Sequence, residues 1–457
     1  MDGAASPPAR RTVEAIYAAA VAGAMPHPAT AAAVGALELA LGQPVRLIAL
    51  GKAAAAMADA AAAGLAARKA RVAGGVVVAP EACPAPDPLV TAVVGDHPIP
   101  GGASAEAARR IGEAVARVGP ADSALVLLSG GASSLAAAPV AGVQPNDLAW
   151  LYQALLGVGA DITAVNAVRK RFARWSGGRL AAALAPTPID CLIVSDVLGD
   201  DAGTVASGPC APDPLTAADV RARLGELGLW KALPASMRRY LADVRAGRAP
   251  ETPKPGDPAF ARVRTRVIVS NAAALRSAAE RARALGVRRV VVDPEPLAGD
   301  AAACGERLAR ALLAEGARRA GSAAGTVEAT CMIWGGEPTV TLGDAHGALG
   351  GRAQELALAA ARALHEAGAG AAGLTLLAAG TDGRDGPTDA AGAVVDGATW
   401  DAVRRAGRDP AADLAAHRSY LALDAAGSLL RPGLTGTNVM DVVVGLMVGR
   451  QRAGSRA

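Results

Sequence analysis

Ala124-Leu125-Val126-Leu127-Leu128 runs five apolar residues without a polar break, and Ser129-Gly130-Gly131-Ala132-Ser133-Ser134 follows it directly. A strand with one face in water would alternate, so this continuous run predicts a strand buried on both faces, as in a parallel sheet covered by helices. The same sequence of apolar run, glycine or proline turn and alanine-rich stretch recurs at Val45 to Leu50, Gly75 to Val78, Ala92 to Val94 and Cys191 to Val194. Strands alternating with helices predict an α/β fold.

At about 150 residues per domain, 457 residues allow two to three domains. The segment from Gly247 to Pro258 holds prolines at 250, 253, 255 and 258 and almost no apolar side chain, and reads as a linker. The expected division is an N-terminal Rossmann-like domain, 1–255, with a mainly parallel sheet and helices on both faces, and a C-terminal α/β domain, 256–457, with a mixed sheet. Strands expected in the second half are Val267 to Val269, Val290 to Val292, Cys331 to Trp334, Thr339 to Leu342 and Leu374 to Leu377. The segment from Leu421 onward is a candidate to pack back on the first domain.

Composition narrows the function. Hydrophobic residues are 52% of the chain while Phe, Tyr and Trp number two, four and five, so the core must be built from Ala, Val and Leu. The net charge of +4 is spread evenly, and few aromatics are present to stack on bases, which argues against a nucleic-acid partner. No stretch offers the roughly 20 strongly apolar residues of a membrane span. Arg10-Arg11 precedes an apolar segment, but Glu14 interrupts it, so an amphipathic helix is the better reading than an export signal. Five scattered cysteines without a CxxC pair suit a reducing cytoplasm. Lysine occurs only at 52, 69, 170, 231 and 254, in a chain that otherwise uses arginine.

That scarcity marks Lys52, in Leu50-Gly51-Lys52-Ala53-Ala54 at a strand end, as a compact point charge suited to an anion. It is not a Walker A loop, because Ala53 stands where Ser or Thr would hold magnesium. The Ser129 to Ser134 turn brings backbone N–H groups and hydroxyls to an anion, or is a tight turn with serine caps. Ser195-Asp196-Val197-Leu198-Gly199-Asp200-Asp201 places acids just after a strand, where open parallel sheets bind ligands. The densest set is Gly335-Gly336-Glu337-Pro338-Thr339, Gly350-Gly351-Arg352, and Gly380-Thr381-Asp382-Gly383-Arg384-Asp385-Gly386-Pro387-Thr388-Asp389. Its spacing fails the EF-hand pattern, and magnesium held by one or two carboxylates fits better; Arg352 is suited to a bidentate clamp. His97 sits in a proline-fixed turn, to bind substrate or to brace the loop. No histidine lies at zinc spacing, and no GxGxxG opens a helix after a strand.

Taken with Asn166-Ala167-Val168-Arg169-Lys170, Ser176-Gly177-Gly178-Arg179-Leu180 and Thr435-Gly436-Thr437-Asn438-Val439, these segments resemble, in order, the glycerate 2-kinase family, whose C-terminal domain is called MOFRL. The resemblance runs from about Arg11 to Val444 and departs at Trp175-Ser176, where an Ile-Lys pair is expected. It implies ATP-dependent, magnesium-assisted phosphorylation of D-glycerate to 2-phosphoglycerate in an interdomain cleft. It also implies catalytic roles for Lys52, Arg352, Asp382 and Asp196, and magnesium on Glu337, Asp382 and Asp385. Substrate or nucleotide would then meet His97, Ser129, Gly130, Gly131, Ser133, Ser134, Lys170, Glu337, Asp389 and Asn438. Which carboxylate is the base stays open, with Asp196 competing. The implied partners are small molecules, with a homodimer as a further candidate. Two rival functions stand beside this one: NAD(P)H-dependent reduction of hydroxypyruvate, and noncatalytic binding of a small carboxylate.

Overall fold

The computed structural model describes residues 7–158, 162–320, 329–343 and 347–448. The chain divides into two units, one formed by Pro26–Val269 and the other by Met1–Met25 with Ser270–Ala457.

The Pro26–Val269 unit holds β1 (Pro44–Leu50), β2 (Arg71–Ala79), β3 (Val90–Val94), β4 (Ser123–Leu128), β5 (Ile189–Val194) and β6 (Val263–Val269). They form one all-parallel sheet in the order β3-β2-β1-β4-β5-β6. Every residue of β4 and β5 is buried, which is why their sequences are apolar apart from Ser123 and Asp190, whereas edge strand β6 is largely exposed and carries Arg264, Thr265 and Arg266. Helices Pro145–Gly157, Ile162–Phe172, Ala217–Glu226 and Ala235–Arg245 enclose a second core around Leu151, Tyr152, Phe172 and Met237.

The other unit holds β7 (Arg289–Val292), β8 (Thr330–Gly336), β9 (Leu374–Gly380), β10 (Gly392–Asp396), β11 (Leu429–Leu430) and β12 (Asp441–Met447), ordered β11-β10-β9-β12-β8-β7. Only β7 and β8 pair in parallel, so the sheet is mixed, as expected. Helix Arg352–Glu366 is buried on all sides, and its alanines let neighbouring elements approach closely.

Four expectations are corrected. The boundary lies at 269/270 rather than at 255, because the proline-rich segment, though largely exposed, is tied to the first unit at its buried Thr252: Asp213 N–H donates to Pro253 O (3.0 Å) and Thr252 Oγ1 to Asp213 Oδ2 (3.0 Å). Val267 to Val269 therefore completes the first sheet. The N-terminal helix Pro7–Gly23 belongs with the second unit, where it packs against helix Asn271–Ala284. Thr339 to Leu342 forms no strand, only an isolated bridge between Thr339 and Asp300. The segment after Leu421 does not return to the first sheet; its strand β12 inserts between β8 and β9.

Candidate active site

The order of the parallel sheet reverses between β1 and β4. Such a reversal opens a crevice beyond the carboxyl ends of the two strands. Gly51-Lys52 follows β1 there and Ser129-Gly130-Gly131 follows β4. The two turns are tied together: Lys52 N–H donates to Gly130 O (2.9 Å), and Ala53 N–H to Ser129 Oγ (2.9 Å). Gly51 has φ +122°, and a Cβ on it would stand 2.4 Å from Ser129 O, so only glycine allows this interlock. The Lys52 side chain is exposed.

Asp196, just beyond β5, enters the same crevice. A Cβ on Gly130 would lie 1.8 Å from Asp196 Oδ2, so that glycine admits the carboxylate. Burial raises the Asp196 pKa, and the Lys52 ammonium opposes the rise. A raised carboxylate beside an ammonium is suited to accept a proton from a hydroxyl. His97, beyond β3, completes the set: the site of a Gly131 Cβ is 3.2 Å from Lys52 Cγ and 3.3 Å from His97 Cδ2. Partial burial, then the Lys52 and Arg169 cations, push the His97 pKa down.

Other expected residues here brace the turn. Ser134 Oγ donates to Gly131 O (3.1 Å), and Ser133 Oγ shares a hydrogen bond with Ser207 Oγ (2.8 Å), which donates to Asn166 Oδ1 (3.1 Å). Lys170 is buried, donates to Gly203 O (3.2 Å) and lies 3.7 Å from Asp213 Oδ1. Its ammonium holds the loop after β5 rather than lining the crevice.

In the second unit, β12 starts where β8 and β9 end, so Asp441 is in register with Gly336 on one side and Gly380 on the other. Arg352, at the start of its helix, donates to Asp441 through Nε (2.7 Å) and Nη2 (3.0 Å), and its Nη1 lies 2.9 Å from Glu337 Oε1. The expected bidentate clamp is thus closed on a carboxylate of the protein itself. Three of the five guanidinium N–H groups are engaged, which leaves two for a ligand. Asp441 is buried; burial raises its pKa, Arg352 lowers it and Asp382 raises it.

Asp385 accepts from Ala353 N–H (3.2 Å) and Gln354 N–H (2.8 Å), so both its oxygens order the start of the Arg352 helix. Burial first, then Asp441, push its pKa up to about 7. Asp382 accepts from Arg384 N–H (3.1 Å), and Asn438 Oδ1 from Met440 N–H (3.1 Å). Asp389 points elsewhere: it is exposed and accepts from Tyr420 Oη (2.8 Å) and Arg431 Nε (3.1 Å). Tyr17 donates to Gly380 O (2.7 Å), tying the N-terminal helix to this strand end; burial, then Asp382 and Asp441, raise its pKa.

Among the described residues, no group of three or more His, Cys, Asp or Glu side chains is placed to hold a metal ion. Magnesium usually keeps waters and takes one or two carboxylates beside phosphate oxygens. With Asp385 engaged by backbone, Asp382 and Glu337 are the donors that fit.

Asp441 escaped the sequence reading; an acid opening the apolar run Val442-Val443-Val444 was the available signal. Tyr17 had none, because its partner is a backbone carbonyl 363 residues away.

Residues 12–242 match the family described as Domain of unknown function (DUF4147), and residues 330–441 match the MOFRL family. The chain is 38% identical to a protein of Agrobacterium vitis named "Putative hydroxypyruvate reductase", over 80% of each chain. It is 35% identical to the glycerate 2-kinase of Pyrococcus horikoshii, over 78% of this chain and 77% of that one. The crystal structure of glycerate kinase from Thermotoga maritima superposes with a TM-score of 0.82 at 34% identity, covering 97% of this chain and 100% of the other. Identity at this level along most of both chains, with the same fold throughout, places the protein in the glycerate 2-kinase family.

Proposed function

We propose that the protein transfers the terminal phosphoryl group of ATP to the 2-hydroxyl of D-glycerate, giving 2-phosphoglycerate. The observation that carries the reading is the crevice in the parallel sheet, where Lys52 stands beside a carboxylate of raised pKa and an interlocked glycine turn. Phosphoryl transfer asks a protein mainly for positioning and charge neutralisation. Asp196 accepts the proton of the acceptor hydroxyl. Lys52 offsets charge on the transferring group, and the Ser129 to Gly131 backbone orients it. Arg352, preset by Asp441 and Glu337, offers its two remaining N–H donors to phosphate oxygens. Magnesium on Asp382 and Glu337 would supply further neutralisation of the nucleotide phosphates.

The described residues contain no helix long and apolar enough to cross a membrane, and the five cysteines are free thiols. Phosphorus NMR of the product from D-glycerate and ATP is the test. A 2-phosphoglycerate signal is expected, and ADP release no faster than from ATP alone would sink the proposal. One relative's name favours hydroxypyruvate reduction. The turn after β1, Gly51-Lys52-Ala53-Ala54, lacks the second and third glycines that let a dinucleotide pyrophosphate approach a helix, so NADH oxidation with hydroxypyruvate is expected to be absent.

A further inference from the structure

Arg169 is set apart from the cations around it. Among the described residues, four arginines have a buried side-chain nitrogen without a hydrogen-bond partner: Arg46, Arg169, Arg171 and Arg418. Three of them face a carboxylate, at 2.7 Å for Arg46 and Asp122, 3.6 Å for Arg171 and Asp213, and 3.4 Å for Arg418 and Asp413. Arg169 faces none among the described residues. Its guanidinium carbon lies 4.3 Å from the centroid of the Tyr152 ring, and its buried Nε has no acceptor. Burial lowers its pKa, and Tyr152 is the group that opposes this.

The neighbours of Arg169 have structural partners. Lys170 meets Gly203 O and Asp213, Arg171 donates to Leu215 O (2.6 Å) and pairs with Glu251, and Arg179 donates to the carbonyls of Lys170, Arg171, Ala173 and Ser176. Arg169 is held toward the glycine turn instead. Tyr152 Oη donates to Ser133 O (2.6 Å), which ties the ring beneath Arg169 to that turn. Asn166, one helical turn earlier on the same face, meets Ser207, the partner of Ser133. Arg169 and Lys52 both act on His97, so three basic side chains share this end of the sheet, with Asp196 beside Lys52. A partly buried cation without a counter-charge destabilises a fold unless something else completes it, and residues kept at such a cost mark binding sites.

We propose that Arg169 binds the carboxylate of the acceptor acid, its planar guanidinium fixed by Tyr152 and His97 beside it. This rests on the glycerate reading above: in a 2-hydroxy acid the carboxylate and the hydroxyl that Asp196 deprotonates are on adjacent carbons, so one crevice must hold both. A planar fork suits a carboxylate.

Calorimetry of the full chain with D-glycerate and, separately, with ATP tests the assignment, using Arg169→Met, which keeps the apolar stem over Tyr152, and Arg169→Lys, which keeps the charge without the fork. Losing a charge-assisted hydrogen bond predicts D-glycerate binding weaker by roughly 10- to 100-fold in Arg169→Met, partly recovered in Arg169→Lys. ATP affinity is expected to be unchanged and the Tm not lowered, since no protein acid loses its partner. Unchanged D-glycerate affinity, or weakened ATP with D-glycerate retained, overturns the proposal; so does a lowered Tm with both ligands weakened together, which marks a structural role. Wild-type protein that binds D-glycerate through Arg169 but releases no ADP removes the kinase reading and leaves this assignment standing. Wild-type protein that binds no D-glycerate removes both.

Discussion

The strand ends of the two sheets carry opposite electrostatic designs. Beyond the parallel sheet, Lys52 stands beside the carboxylate of Asp196, and His97 lies near Lys52 and Arg169. Beyond the mixed sheet, Arg352 is met by Asp441, Glu337 and Asp385, with Asp382 next to Asp441. The first end holds Arg169 facing no carboxylate among the described residues, and suits an anionic ligand directly. The second has its cation neutralised internally, so it offers directed N–H donors beside carboxylates already engaged. The difference arises from topology. Parallel strands all deliver their loops at one end, whereas antiparallel β12 brings the start of a strand, Asp441, between two strand ends.

The contrast breaks most decisively at Asp196. As general base it predicts a kcat lower by about 10²- to 10⁴-fold in Asp196→Asn. Because burial raises its pKa, wild-type activity is expected to fall on the acid side from above the ordinary carboxylate range, and this limb should vanish from the pH-rate profile of the variant. A retained limb would reassign the base. Lys52→Ala in the same assay is expected to lose about 10²- to 10³-fold, the scale of one charge-stabilising donor.

At the other strand end, Asp441→Asn leaves Arg352 short of its main counter-charge. Breaking a fully buried pair costs roughly 3–5 kcal/mol, and about 2–3 kcal/mol is expected here because the far edge of Arg352 reaches solvent. Urea denaturation measures it, and an unchanged midpoint would show that Arg352 does not depend on Asp441.

Lys170 sharpens the comparison from inside the first unit. If it braces the loop after β5, Lys170→Met lowers stability by about 1–3 kcal/mol through the lost hydrogen bond to Gly203 O and a weakened counter-charge for Asp213, which keeps Arg171 and Thr252, while the KM for D-glycerate stays near wild type. A raised KM with unchanged stability would return Lys170 to the ligand.

The smallest expected effect is in the pH dependence of stability. Asp385 has a folded pKa of about 7 against an ordinary 3.8, so the folded state binds this proton more tightly than the unfolded chain does. The stability it contributes is complete below about pH 4 and is lost as the pH rises to about 7. In Asp385→Asn the decline across that window should be shallower, as followed by denaturation at a series of pH values.

Much of the first unit was legible in the chain itself. Val45 to Leu50, Ala124 to Leu128 and Cys191 to Val194 are strands because a continuous apolar run followed by a glycine or polar turn has few other places to go in an α/β protein. Lys52 and the Ser129 turn were visible for the same reason, since each sits one step beyond such a run. The second unit was less legible. The short strand β11 and the placement of β12 depend on partners far away in sequence, and a strand carries no mark of which neighbour it will join. Pro250 to Pro258 looked like a domain linker because prolines punctuate the chain, yet Thr252 and Pro253 bond to Asp213 in the interior of the first unit.

Local pattern determined the α/β class, the parallel character of the first sheet and the turns that follow its strands, because periodicity and turn chemistry act over a few residues. The family's motifs, read in order, likewise needed only the chain. Tertiary structure alone decided what each charge does. Arg169 and Lys170 are adjacent in sequence, yet one rests on an aromatic ring with no acid facing it among the described residues and the other is bound to a carbonyl and a carboxylate. The value of a charge depends on what meets its head group, and that is set by elements far away along the chain.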